Sequence, residues 1–152
     1  MKVHLECLPD EALAVALGVG KKNIKHHAGN GRVCASLEKL EGKIGFIDEE
    51  PGKPQANHRF LKELTLVKEG FGVKEWIDKK RNHKVLMICP ELEGWIIKYI
   101  PKKDLEQFGL PTNAKSLHGI IISRLKKFSD LIDDQVKKKN KAILHLKDLL
   151  NS

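Results

Sequence analysis

The apolar run Lys43-Ile44-Gly45-Phe46-Ile47 ends abruptly in Asp48-Glu49-Glu50, and Pro51-Gly52 then turns the chain. A short buried strand that stops at three carboxylates constrains the fold more than any other stretch. In an open α/β sheet, ligands bind at the carboxyl ends of the strands. Acids crowded there repel one another unless a cation sits among them. Val3-His4-Leu5-Glu6 has the same form and is followed by Cys7-Leu8-Pro9-Asp10-Glu11. If the two strands are neighbours, Glu6, Asp48 and Glu50 converge.

The pattern around these strands alternates. Residues 2–7 read as a strand that Pro9 stops. Asp10 and Glu11 then open a helix, where acids suit the positive end of the dipole. Ala12, Leu13, Val15, Ala16 and Leu17 give that helix a broad apolar face, and Gly18 and Gly20 end it. A short strand at 23–27 and a turn at Gly29-Asn30-Gly31 follow. Val33, Cys34, Leu37 and Leu40 mark one face of a second helix, before the strand at 43–48. This order implies right-handed crossovers and a largely parallel sheet.

Beyond a polar loop at 51–58, Phe60, Leu61 and Leu64 predict a short helix. Strands are expected near 72–77 and at 84–89, then a helix from Glu91. Residues 101–115, with Pro101 and Pro111, read as a loop. Leu117, Ile121, Leu125, Phe128 and Ile132 predict one helix of about five turns, and a last helix falls near 142–150. The expected fold class is α/β, a single domain with a mostly parallel sheet flanked by helices. Its core covers 1–100, and a helical C-terminal extension over 101–152 packs on the same domain.

At 152 residues the chain is long enough for one hydrophobic core. Its charged fraction of 32% argues for a soluble protein. No apolar run reaches the length of a membrane span, and Glu6, Asp10 and Glu11 interrupt any signal-peptide layout. A cytoplasmic location is therefore expected, with no membrane partner. Cys7, Cys34 and Cys89 are odd in number and form no Cys-x-x-Cys pair. They predict buried free thiols rather than a disulfide framework or a structural zinc site.

The formal net charge of +8 points toward a polyanionic partner such as nucleic acid. Much of it lies in Lys126, Lys127, Lys137, Lys138, Lys139, Lys141 and Lys147. Those lysines can track a phosphate backbone without reading sequence, and they also read as a solvated helix face. Five Phe, two Trp and one Tyr are too few for a base-stacking platform.

In an extended chain alternate side chains share a face, so Asp48 and Glu50 point one way and Glu49 another. Hard oxygen ligands in a small cluster suit Mg²⁺ or Mn²⁺, ions that assist phosphoryl transfer. The same three acids also read as a solvated turn. Asp10 and Glu93 are additional candidate acids, although Glu91 and Glu93 equally suit a helix start. Trp95 reads as a core anchor. His26 and His27 face opposite ways on a strand and read as ordinary polar residues. His58 follows the acidic loop, and His118, beside Leu117, reads as a satisfied core residue.

Leu5-Glu6-Cys7-Leu8-Pro9-Asp10-Glu11 ahead of an apolar helix resembles the opening of Toprim domains, in particular those of OLD-type nucleases. Ile44 to Glu50 resembles their Asp-x-Asp strand, and Gly29-Asn30-Gly31 falls at their glycine turn. Asp48-Glu49-Glu50-Pro51-Gly52 and Ile88-Cys89-Pro90-Glu91-Leu92-Glu93-Gly94-Trp95 together resemble segments of small bacterial Toprim-like proteins. The resemblance spans about residues 2–100. It implies Toprim-type, metal-dependent phosphodiester hydrolysis, with Glu6 as general acid/base or ligand and Asp48 and Glu50 as metal ligands. It also implies a separate ATPase subunit, since the chain has no phosphate-binding Gly-x-x-x-x-Gly-Lys-Ser/Thr loop. Cys7 stands where those domains usually have glycine, and Glu50 stands where they have a second aspartate. Two further readings remain. One is a non-catalytic interaction or regulatory subunit using the helix at Lys115–Val136, and the other a sequence-independent nucleic-acid binder.

Overall fold

The computed structural model describes residues 2–54 and 58–152. The elements run β1 (Val3–Leu5), α1 (Leu8–Ala16), β2 (Ile24–His26), α2 (Asn30–Leu37), β3 (Ile44–Asp48), α3 (Arg59–Lys62), β4 (Thr65–Gly70), β5 (Val73–Asp78) and β6 (His83–Ile88). Helices then follow to the end: α4 (Leu92–Tyr99), α5 (Lys102–Gln107), α6 (Ala114–Ile120), α7 (Leu125–Lys137) and α8 (Lys141–Asn151). The fold is α/β, with one six-stranded sheet in the order β2-β1-β3-β6-β5-β4. β1, β2, β3 and β6 are parallel, while β5 and β4 run against them, so the sheet is mixed. No helix among the described residues is long and apolar enough to cross a membrane.

The chain divides into two compact units, Met1–Cys7 with Lys21–Glu91 and Leu8–Gly20 with Leu92–Ser152. In the first, alternation along the strands puts Ile47 of β3 and Val85 and Met87 of β6 on one face of the sheet. They form a core with Val33, Cys34 and Leu37 of α2 and Phe60 of α3. Each such side chain contributes about 1.5–3 kcal/mol on burial. Gly45 lets α2 lie close, because a Cβ there would sit 2.8 Å from Leu37 Cδ1.

β4 is an exposed edge strand that the sequence reading missed. It joins β5 through Phe71-Gly72, whose φ values of 50° and 69° match a type I′ hairpin turn. The β5–β6 turn is closed by Asp78, whose Oδ1 accepts from the Lys80 and Arg81 amides at 3.1 and 3.3 Å. The Arg81 guanidinium grips Asp78, Glu63 and the Glu38 carbonyl.

The second unit is helical. Phe128, Leu131, Ile132 and Gln135 are the buried stripe of α7, at the spacing of one helical face. α7 contacts α1 and α8, and α4 contacts α6. Asn140 caps α8, its Oδ1 accepting from Ala142 and Ile143 at 3.1 and 3.3 Å. Its Nδ2 donates to the Tyr99 carbonyl and to Gln135 Oε1 at 2.9 and 2.7 Å. Gln135 in turn donates to Asp104 at 2.8 Å, and Lys138 reaches the same carboxylate at 3.0 Å. These two donors hold the Asp104 carboxyl below the usual carboxylate range.

Two expectations about this unit are corrected. The loop expected at 101–115 contains α5, because Pro101 sits at the helix N-cap, where its missing amide costs nothing. The single helix expected through 117–132 is broken by a 3₁₀ segment, Ile121–Arg124. Gly119 and the β-branched Ile120-Ile121-Ile122 weaken the helix there. The Ser123 hydroxyl donates to the Ile120 carbonyl at 2.7 Å, and Arg124 is drawn to the Gly109 carbonyl. Of the expected loop at 51–58, residues 55–57 lie outside those described.

Candidate metal centre

β1 and β3 are parallel neighbours, paired Val3↔Ile44 and His4↔Gly45. Continuing that register sets Glu6 beside Ile47, one residue short of Asp48, so both strand ends reach the same edge of the sheet. One carboxylate oxygen each from Glu6, Asp48 and Glu50 lies within 4.8 Å of the other two. The acids the sequence singled out are brought together.

The backbone after β3 accounts for Glu50. The ladder to β6 continues past Asp48, with the Glu49 amide donating to Ile88 and the Glu50 amide to Pro90, both at 2.8 Å. Glu50 then turns to a φ of 44°, so it is not extended as the alternation argument assumed. Pro51 and Gly52, the latter at φ 84°, occupy the middle of a turn closed by Lys53 donating to the Glu50 carbonyl at 3.1 Å. Pro followed by a positive-φ Gly is the type II pattern. This left-handed backbone conformation, rather than a two-residue strand repeat, sets the direction of the Glu50 side chain. Glu49 is engaged separately, its Oε2 accepting from Lys74 of β5 at 2.6 Å.

The donor set fits a hard divalent cation. About 2.1 Å from each oxygen, octahedral geometry places neighbouring ligand atoms about 3 Å apart and opposite ones about 4.2 Å apart. The end of α2 faces the same cluster: a Cβ on Gly29 would lie 3.9 Å from Glu6 Oε2. The first residue of α2, Asn30, donates its Nδ2 to the Asp48 carbonyl at 3.1 Å. Its Oδ1 is buried without a hydrogen-bond partner. The sequence reading treated Asn30 only as part of a turn, although an Asn directly after a helix-opening Gly was visible there.

Asp10 and Glu93 belong to the helical unit, where both are buried. Glu93 pairs with His118 Nδ1 at 3.1 Å. His118 is thus not the core residue expected; its side chain is 79% exposed. Lys126, Lys127, Lys137, Lys138 and Lys139 are all exposed. Two of them hold acids: Lys126 pairs with Asp130 at 2.7 Å, and Lys138 with Asp104 and Asp134 at 3.0 and 3.1 Å. His58 caps α3, accepting from the Phe60 amide at 3.1 Å.

His27 is likewise not an ordinary surface residue, because it stacks on His4 with ring centroids 5.0 Å apart. All three cysteines are free, but only Cys34 is fully buried, with Cys7 and Cys89 half-buried. Burial pushes the Cys34 thiol up to about 12 and the Cys89 thiol up to about 11, so neither is a nucleophile near neutral pH. Among protein-family models, curated proteins and solved structures, none matches this chain.

Proposed function

We propose that the Glu6, Asp48 and Glu50 cluster is the Mg²⁺ or Mn²⁺ site of a Toprim-like enzyme that hydrolyses phosphodiester bonds in nucleic acid. The convergence of three acids from two parallel strands at their carboxyl edge carries this reading. Asp48 and Glu50 hold the cation, and Glu6 ligates it or exchanges a proton with the attacking water or leaving oxygen. A divalent cation at such a site supplies Lewis-acid stabilisation of negative charge on a phosphoryl oxygen. Lys127, Lys137 and Lys139 supply charge for holding the polyanion, since Lys126 and Lys138 are already engaged with carboxylates. By the same resemblance, a separate ATPase subunit is the expected partner.

The test is cleavage of DNA and RNA by the full chain with Mg²⁺ or Mn²⁺ against EDTA. The wild type cuts in the presence of metal. Glu6→Gln and Asp48→Asn, still folded by circular dichroism, lose at least a hundredfold in rate. A wild type that cuts neither polymer with either metal removes the nuclease reading and leaves the non-catalytic interaction subunit.

A further inference from the structure

The Asn30 carboxamide stands where α2 begins, beside the two strand ends that supply the acids. Its Nδ2 donates to the Asp48 carbonyl at 3.1 Å. Only the nitrogen end of an amide has protons to give, so this bond fixes which way the group is turned. Oδ1 is left as a buried acceptor with no donor, on a residue only 4% exposed. Native proteins leave few such atoms, and each asks for a ligand or another cause. The preceding residue, Gly29, approaches Glu6 Oε2, with its Cβ position 3.9 Å away. The Asn30 amide thus meets the backbone carbonyl of Asp48, and its chain neighbour Gly29 meets the Glu6 carboxylate.

We infer that Asn30 Oδ1 is a fourth oxygen donor to the divalent cation held by Glu6, Asp48 and Glu50, an inference that rests on the metal-site reading above. Amide oxygens are ordinary ligands of hard cations. Three carboxylates on a divalent ion already leave one excess negative charge. A neutral fourth oxygen extends the shell without adding to that repulsion. The Gly29–Asn30 junction serves this end: the glycine leaves room for Glu6, and the asparagine reaches across to β3.

Mn²⁺ binding to the full-length chain, followed by electron paramagnetic resonance and calorimetry, tests this without reference to activity. Asn30→Ala is expected to weaken Mn²⁺ binding about 10–100-fold. Asn30→Asp keeps the oxygen and adds charge while losing the bond to the Asp48 carbonyl, and is expected to bind Mn²⁺ at least as tightly as wild type. If Asn30 only props up the end of β3, Asn30→Asp weakens binding as much as Asn30→Ala does, and the inference is overturned. Should Asn30→Ala fail to fold, Asn30→Asp against wild type decides alone: equal or tighter binding supports the fourth donor, and tenfold weaker binding overturns it. A wild type that binds Mn²⁺ and loses it in Asp48→Asn but not in Asn30→Ala overturns this inference and leaves the metal site standing. A wild type that binds no Mn²⁺ overturns both.

Discussion

His4 Nδ1 lies 2.8 Å from His27 Nε2, a hydrogen bond between two imidazoles in which one ring must donate and the other accept. Protonating both rings abolishes it. Burial, reinforced by each ring's positive neighbours, pulls His4 down to about 4 and lowers His27 as well. The unfolded chain, with histidines near about 6.5, therefore binds more protons than the folded one as pH falls. Stability contributed by the neutral pair is complete above about pH 6.5 and is lost as pH falls toward His4's folded value. Urea denaturation is expected to show a loss on the order of 1–2 kcal/mol between pH 7 and 5, above the main carboxylate range. His4→Leu should flatten that slope, and an unchanged slope in the variant would assign it elsewhere.

Glu6, Asp48 and Glu50 bring three like charges within 4.8 Å of one another, and like charges at that range repel. Asp48→Asn is therefore expected to melt higher than wild type in EDTA. Wild type should gain with Mg²⁺ or Mn²⁺, by about 2.7 kcal/mol at a hundredfold excess over Kd, or roughly 5–10 °C for a chain of this size. The variant should show little of that gain. Differential scanning calorimetry with and without metal reads both effects, and their opposite signs separate a cation site from a merely structural role of Asp48.

Asn140 spends all four of its side-chain hydrogen bonds, two on the α8 cap and two on Tyr99 and Gln135. Asn140→Ala removes the cap, about 1 kcal/mol, and strands two acceptors. The expected loss by chemical denaturation is about 2–4 kcal/mol. Asn140→Asp keeps the cap and forfeits the two donated bonds, so it should fall between wild type and alanine.

Lys139 closes α7 with a φ of 57°. The Lys139 and Asn140 amides donate back to Val136 and Gln135 at 3.1 and 3.0 Å, the paired bonds of a Schellman motif. Glycine is the usual occupant of that position. Lys139→Gly is expected to raise stability by about 0.5–1 kcal/mol. If Lys139 also helps hold nucleic acid, the same variant should bind DNA more weakly at low salt, measured by fluorescence anisotropy.

The strands at the centre of the sheet were legible because their signal is local: a short apolar run, then a proline or an acid. That held for Val3 to Leu5, Ile44 to Asp48 and His83 to Ile88, and the acids that end the first two were found with them. β4 escaped because it is exposed along its length, with Leu66 and Val67 facing outward, so no burial pattern marks it. α5 was hidden by reading Pro101 as a breaker rather than a starter. The interruption between α6 and α7 was invisible to periodicity, since Leu117 before it, Ile121 within it and Phe128 after it are all buried. Asn30 and the His4–His27 pair were missed for a different reason. Their partners lie 18 and 23 residues away along the chain, and only folding brings them within reach.

Neither compact unit is continuous in sequence, because α1 is inserted between β1 and β2 yet belongs with the C-terminal helices. During synthesis every strand of the sheet has been made by Ile88, whereas α7, the helix that α1 packs against, begins only at Leu125. α1 must therefore wait for this late-made partner while the nascent sheet is already able to assemble. That interval is when this chain is most exposed to misassociation and to chaperone capture.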